Sequence, residues 1–184
     1  QAYVWGEAEA PTTLPANLAI PICAIGDHLG LPPLLPYSGY VLDNWYRLDK
    51  SGGISLDNIA MHQNFLGGQD ENWFVLVHVA IEAEAGRALQ LATELVEAAA
   101  QHDAVKVEQL LTDMNRVWDA MNAHFDRMPE RCDPYIYYQR VRPYIHGWKN
   151  NPALPDGLIY EGVAKFAGKP QAFRGQTGSQ SSIV

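Results

Sequence analysis

A long apolar run that continues into a helix-forming segment without a turn signal constrains the fold of this chain more than any other feature. The run covers residues 73–81 and contains a single polar residue, His78. It passes directly into residues 82–100, which are rich in alanine, leucine and glutamate. The β-branched residues of the run also suit a strand, but a continuous segment of this length favours a helix. We therefore predict a buried helix from Asn72 to about Gln101 with Asp70 as its N-cap.

Two further helices are predicted after the first. One runs from about Ala104 to Met128, where Pro129 ends it. The other begins at Asp133-Pro134, because an N-cap residue followed by proline is typical of a helix start. Pro143 should stop or kink this helix near Arg142. The pattern predicts an all-α fold.

The remaining segments are predicted to lack long helices. Six prolines within residues 11–36 predict extended or turn-rich chain. Short helices are predicted over Gly39–Leu48, capped by Ser38, and after Ser55. Residues 147–184 are dense in glycine, proline, asparagine and serine, which predicts long irregular loops.

We expect one helical domain over residues 1–184. In this interpretation residues 1–70 form a loop-rich covering segment, 71–146 the core helices and 147–184 an active-site loop. The first residue is glutamine and the last four are Ser-Ser-Ile-Val, so we expect the chain to be part of a longer protein.

Composition excludes several classes of function. The formal net charge of −8 does not provide the positive charge that binding to nucleic acid or to an anionic membrane surface requires. No apolar stretch is long enough to span a bilayer, and the start shows no secretory signal. Cys23 and Cys132 form no metal-binding or redox spacing. We therefore expect a reduced, cytoplasmic protein with two inert thiols.

His78 is the first candidate functional residue. In most buried helices such a histidine is a core residue bonded to a backbone carbonyl. The alternative is a polar contact inside an apolar ligand pocket. Phe74 lies four residues earlier on the same helix face, and a phenyl ring beside an imidazole suits a flat aromatic ligand. Glu82, one turn later, either orients the imidazole or solvates the end of this face.

Arg142 and the Gly/Ser-rich tail are the other candidates. Arginine is usually a surface residue, but its forked donors also match a carboxylate in a bidentate manner, as recognition of an amino acid requires. The tail over residues 173–182 lacks the spacing of a nucleotide-binding loop. Its hydroxyls and backbone N–H groups suit an anion or an ammonium group. His146, in a turn, is either a surface residue or a site residue.

Several segments, taken in order, resemble the indoleamine 2,3-dioxygenase family, haem enzymes related to tryptophan 2,3-dioxygenase. The matching segments cover most of the chain and occur in the order of the family. They are AYVWG at residues 2–6, LPPLLPY at 31–37 continuing to VLDNW at 41–45, WF at 73–74 through Glu82, GWKNNP at 147–152, DGLIYEG at 156–162 and GSQSS at 178–182.

The resemblance implies a partial helical haem-dioxygenase large domain, with long irregular loops, that holds haem b. It also implies the addition of O₂ across the indole C2–C3 bond of L-tryptophan to give N-formylkynurenine, a reaction of tryptophan catabolism in the kynurenine pathway. His78 matches a distal position where members have serine or histidine, and a histidine there accepts a hydrogen bond from the indole N–H. Phe74 matches the distal phenylalanine that packs on the substrate ring.

Five other positions carry over from the resemblance. Tyr37 matches a pocket tyrosine, and Tyr137 stands where phenylalanine is usual. Arg142 matches the arginine that pairs with the substrate carboxylate. Thr177 and Gly178 match a loop pair near the substrate ammonium and a haem propionate.

The resemblance also implies what lies outside these residues. In the family the proximal haem histidine follows the Gln-Ser-Ser motif, so we expect the iron ligand outside these residues. Three possibilities stay open: the same protein continues in a C-terminal part that supplies it, a second chain supplies it, or this form holds no haem. The small N-terminal domain of the family is expected to precede residue 1. Two alternatives stay open, namely a haem enzyme acting on another indole or tryptophan-derived compound, and a non-catalytic haem-binding or signalling homologue.

Overall fold

A computed structural model describes residues 2–6 and 8–174 of the chain. The described residues up to 40 together with 135–174 form a first compact unit, and residues 41–134 form a second. Helices make up most of the regular structure and the strands are two or three residues long, so the predicted all-α class is confirmed. No helix among these described residues is both long and apolar enough to cross a bilayer.

The first unit contains α1 (Ala2–Trp5), α2 (Ala16–Leu29), α5 (Pro134–Ile136, which begins at the unit boundary) and α6 (Arg142–Ile145). A π-helical turn over Tyr137–Val141 joins α5 to α6, and another covers Ser38–Leu42 at the other boundary. Strands β1 (Thr13–Leu14) and β4 (Ile159–Tyr160) pair in parallel, and a 3₁₀ turn covers Ala164–Phe166.

The second unit contains β2 (Trp45–Arg47), β3 (Ile59–Met61), α3 (Gln69–Ala100), α4 (Ala104–Phe125) and a 3₁₀ turn over Met128–Glu130. Helices α3 and α4 form a hairpin whose turn is closed by Asp103, the N-cap of α4, which accepts a hydrogen bond from the backbone N–H of Lys106 at 3.0 Å. Small residues on α3, Ala85 and Ala88, let the helices approach, and Val117 and Met121 of α4 pack against them. Both long helices are therefore confirmed within three residues of their predicted ends.

Helix α2 contradicts the prediction of extended chain over residues 11–36. It contains Pro21, which removes one backbone hydrogen bond at a cost of about 3 kcal/mol. Ala19, Cys23 and Gly26 recur at helical spacing and are buried, and Ala19 and Cys23 belong to the core of the first unit. Packing of this face outweighs the proline, and Gly30, with φ of 68°, ends the helix in the left-handed conformation.

The helix predicted over Gly39–Leu48 extends only to Leu42, and the helix predicted after Ser55 is wrong. The chain instead forms an antiparallel β-hairpin in which Trp45 lies opposite Met61 and Arg47 opposite Ile59. The side chain of Asn58 closes the connecting loop, since Nδ2 donates to the carbonyls of Asp49 and Gly53 at 3.0 and 2.8 Å. These long-range contacts override local helix signals.

Two helix boundaries differ from expectation. Gly68 precedes α3, and the Asp70 carboxylate accepts a hydrogen bond from the backbone N–H of Asp133 at 2.7 Å, so Asp70 is not the N-cap. The third helix begins at Pro134 as predicted, but it contains the π-helical turn and continues past Pro143 to Ile145. Pro143 lies in the first turn of α6, where a missing N–H is tolerated, so the proline does not end the helix there.

The irregular segment after Gly147 supplies part of the core of the first unit. The Tyr160 hydroxyl donates to the carbonyl of Pro33 at 3.0 Å and accepts from Nε1 of Trp148 at 2.9 Å. Burial raises the pKa of Tyr160 to about 12. Leu154 and Leu158 are fully buried in the same cluster. A segment predicted as loop from its composition is thus irregular in backbone but buried in part.

Candidate functional site

The start of α3 is anchored by a buried carboxylate. Glu71, in the first turn, has no exposed surface. Its carboxylate oxygens accept hydrogen bonds from the backbone N–H groups of Phe65, Leu66 and Gly67 at 2.8, 2.9 and 2.8 Å. Negative charge is also favourable at a helix N-terminus. Glu71 therefore ties the preceding loop to the helix that carries Phe74 and His78.

Phe74 and His78 lie side by side on α3, as the spacing predicts. Their ring centroids are 4.4 Å apart, with an interplanar angle of 46°. His78 is buried, with 6% of its surface exposed, and Phe74 is half-buried. Nδ1 of His78 lies 2.7 Å from the carbonyl oxygen of Phe74. Since a carbonyl can only accept, Nδ1 carries the proton in this bond.

The protonation state of His78 follows from its surroundings. Burial lowers its pKa, and the bond to Phe74 and the charge of Glu82 oppose this effect only in part. The imidazole is therefore neutral near pH 7, with its proton on Nδ1 and a lone pair on Nε2. Among residues 2–6 and 8–174, none donates a hydrogen bond to Nε2. The carbonyl of Phe74, rather than Glu82, orients the ring.

Both interpretations of His78 find support in this arrangement. The imidazole is a core histidine bonded to a backbone carbonyl, as the commoner interpretation requires. The same bond leaves Nε2 as an acceptor beside a phenyl ring. That acceptor suits a ligand with a flat aromatic body and one N–H donor.

Arg142 lies on the first unit between two rings. Its Cζ atom is 5.0 Å from the ring centroid of Tyr138, and its Nε donates to Nε2 of His146 at 3.2 Å. Arg142 is exposed, and in the described part of the chain no carboxylate pairs with it. Arg116 and Arg127, by contrast, each pair with a carboxylate three residues away. The guanidinium of Arg142 therefore contacts a tyrosine ring and an imidazole rather than a carboxylate.

The remaining candidates are placed only in part. Tyr37 and Tyr137 are half-buried, and both belong to the first unit. Thr177 and Gly178 lie outside the described residues. The structure therefore brings Phe74 to His78 in the second unit and Arg142 to Tyr138 and His146 in the first. The roles of all these residues stay predictions.

Two contacts were not predicted from the sequence, those of Glu71 and His146. The signal for Glu71 was an acidic residue at the start of a helix that follows Gly67-Gly68. The signal for His146 was its position four residues after Arg142, a spacing at which side chains can meet across one helical turn.

Metal-binding side chains do not cluster in the described part of the chain, where no group of three or more His, Cys, Asp or Glu could hold an ion. Cys23 and Cys132 are free and buried. Burial raises the pKa of both thiols, that of Cys132 to about 11, so both are protonated at neutral pH.

A helical chain with these motifs belongs to the indoleamine 2,3-dioxygenase family, whose model matches residues 1–184. Indoleamine 2,3-dioxygenase 1 of Rattus norvegicus is 36% identical over 184 residues, covering 99% of this chain and 44% of the relative. Indoleamine 2,3-dioxygenase 2 of Homo sapiens is 34% identical with the same coverage. Indoleamine 2,3-dioxygenase of Saccharomyces cerevisiae is 29% identical, covering all of this chain and 42% of the relative. The chain therefore spans less than half the length of these relatives.

Proposed function

We propose that the protein containing this chain is a haem-dependent dioxygenase that inserts O₂ across the indole C2–C3 bond of L-tryptophan to give N-formylkynurenine, in tryptophan catabolism. Membership of the family supports this proposal. The observation that carries it is the neutral imidazole of His78, whose Nε2 lone pair lies beside the ring of Phe74. An indole offers one N–H donor and one aromatic face, which complements this pair.

The residues of α3 fit the distal side of a haem. Residues 75–80 are all buried and, apart from His78, all apolar, and a haem pocket requires such shielding from water. When bound, haem b supplies the chemistry of O₂, and the protein supplies orientation and electrostatics. The other five histidines are exposed or half-buried, so we assign none of them to the iron. We propose that the axial ligand lies outside the described residues.

Within this proposal the residues on α3 bind the indole. Nε2 of His78 accepts a hydrogen bond from the indole N–H, and Phe74 packs on the indole ring. His78 is neutral and has its Nδ1 proton committed to a carbonyl, so it positions the substrate rather than removing a proton from it.

The residues of the other unit bind the amino-acid part of the substrate or line the pocket. Arg142 pairs with the carboxylate through Nη1 and Nη2, to which no residue among 2–6 and 8–174 is bonded. Tyr37 and Tyr137 line the pocket, and Thr177 and Gly178 interact with the ammonium group and a haem propionate. We also propose a cytoplasmic location, which the two free buried thiols support.

The proposed reaction is tested with the full-length haem-loaded protein, L-tryptophan, a reductant and ¹⁸O₂. We expect N-formylkynurenine that carries both atoms of the labelled oxygen, measured by mass spectrometry. Unreduced protein is the matched control and should give no product.

Two outcomes would contradict the proposal. Turnover of a different indole but not of tryptophan would favour another substrate, which the hydroxyl of Tyr137 in place of the usual phenylalanine would accommodate. Binding of haem and tryptophan without any product from a reduced sample would favour a non-catalytic homologue.

A further inference from the structure

The guanidinium of Arg142 contacts one side chain that precedes it in the chain and one that follows it. Tyr138 lies four residues before it, with its ring centroid 5.0 Å from Cζ. His146 lies four residues after it and accepts the Nε hydrogen bond at 3.2 Å. The helix ends at Ile145, and His146 already has the extended φ and ψ of −77° and 145°. An exposed arginine side chain is otherwise rotationally free, so these two contacts restrict it.

The protonation of His146 is compatible with this bond. A ring nitrogen accepts a hydrogen bond only when it carries no proton. Burial and the neighbouring positive charge of Arg142 both lower the pKa of His146. The imidazole is therefore neutral near pH 7, with Nε2 as the acceptor and Nδ1 as the protonated nitrogen.

The hydrogen bond to His146 determines which N–H donors of Arg142 can bind a ligand. A guanidinium presents a carboxylate with either the edge formed by Nε and one Nη or the edge formed by Nη1 and Nη2. Nε is occupied by His146, which removes the first edge. In the described ranges 2–6 and 8–174 no residue accepts a hydrogen bond from Nη1 or Nη2. The second edge is the one that stays available for a ligand.

We propose that His146 is a positioning residue that holds Arg142 so that its Nη1 and Nη2 atoms face the substrate carboxylate. This inference rests on the proposed function, since it takes Arg142 as the group that binds the carboxylate. In this role His146 acts on the substrate through its hydrogen bond to Arg142. Its loss should weaken binding of amino-acid ligands and leave ligands without a carboxylate unaffected.

The test measures the dissociation constants of L-tryptophan and tryptamine by calorimetry with the full-length haem protein. Tryptamine has the indole and the ammonium group but no carboxylate. His146→Leu removes the acceptor, and we expect it to weaken tryptophan binding about 3- to 10-fold, the worth of one hydrogen bond, with tryptamine binding unchanged. His146→Gln places an amide oxygen near the position of Nε2 and should restore tryptophan binding to within about twofold of the unmodified protein.

The outcomes separate this proposal from the proposed function. If Arg142→Ala weakens tryptophan binding but His146→Leu does not, His146 is not a positioning residue and the role of Arg142 stands. If His146→Leu weakens both ligands equally, or if His146→Gln fails to rescue binding, its role is only structural and the proposal is wrong. If Arg142→Ala itself leaves tryptophan binding unchanged, the carboxylate assignment and the role of His146 both fail. Should His146→Leu not fold, His146→Ala provides the same comparison.

Discussion

Replacing Arg142 with alanine should raise the KM for L-tryptophan about 10- to 100-fold and leave the KM for tryptamine within about twofold. A hydrogen bond to a charged group contributes about 1.5–3 kcal/mol, and about 1.4 kcal/mol corresponds to a factor of ten in affinity. No described carboxylate competes for the guanidinium, and only Nε is bonded, to His146, so the Nη1 and Nη2 donors are available to the substrate. Steady-state kinetics with both substrates, or inhibition constants where tryptamine is not turned over, measure the effect.

The matched control for this experiment is Arg140→Ala. Arg140 is exposed, lies on the π-helical turn that directly precedes α6, and forms no ion pair with any described residue. It should therefore leave both KM values unchanged. If Arg142→Ala behaves like Arg140→Ala, or raises both KM values equally, Arg142 does not bind the carboxylate.

Replacing Glu71 with alanine should destabilise the second unit by about 3 kcal/mol or more. Three backbone N–H donors, those of Phe65, Leu66 and Gly67, lose their acceptor. Each buried donor left unsatisfied costs about 1–3 kcal/mol, and water entering the vacated space offsets part of the sum. Thermal unfolding of the full-length protein measures the loss. Hydrogen–deuterium exchange should also show lost protection in the peptide that contains residues 65–67.

Glu97→Ala is the control for the same helix. Glu97 is exposed near the end of α3, so its replacement should change stability by no more than about 0.5 kcal/mol. If Glu71→Ala is as mild as Glu97→Ala and exchange over residues 65–67 does not change, the carboxylate does not anchor this loop in solution.

The long helices were predictable because their signals are local. Apolar spacing and the absence of a turn define α3, and a cap and a proline bound α4. Helix α2 was missed because its prolines argue against a helix locally, whereas the burial of Ala19 and Cys23 that favours it depends on a core that includes residues more than a hundred positions away, among them Trp148, Leu158 and Tyr160. The hairpin of β2 and β3 was missed because it depends on pairing of Trp45 with Met61 and of Arg47 with Ile59, whereas helix signals are read over spacings of three or four residues.

The residues of the candidate site were predictable from the sequence, but their protonated nitrogens and hydrogen-bond partners were not. Helical spacing alone brings Phe74 to His78. The proton on Nδ1, however, depends on a rotamer that bonds the Phe74 carbonyl, and no sequence pattern specifies it. The contact of Arg142 with His146 depends likewise on where the third helix ends, and Pro143 made that end appear earlier than it is.

We propose that His78 binds the indole of the substrate and that Arg142 binds its carboxylate. The most direct measurement is the dissociation constants of L-tryptophan, 1-methyltryptophan and tryptamine for the full-length haem protein and its His78→Ala and Arg142→Ala variants. We predict a crossed pattern. His78→Ala should lose the preference for tryptophan over 1-methyltryptophan, which has no indole N–H, and keep the preference over tryptamine, whereas Arg142→Ala should do the reverse. Loss of both preferences in each variant, or of neither, would contradict the account.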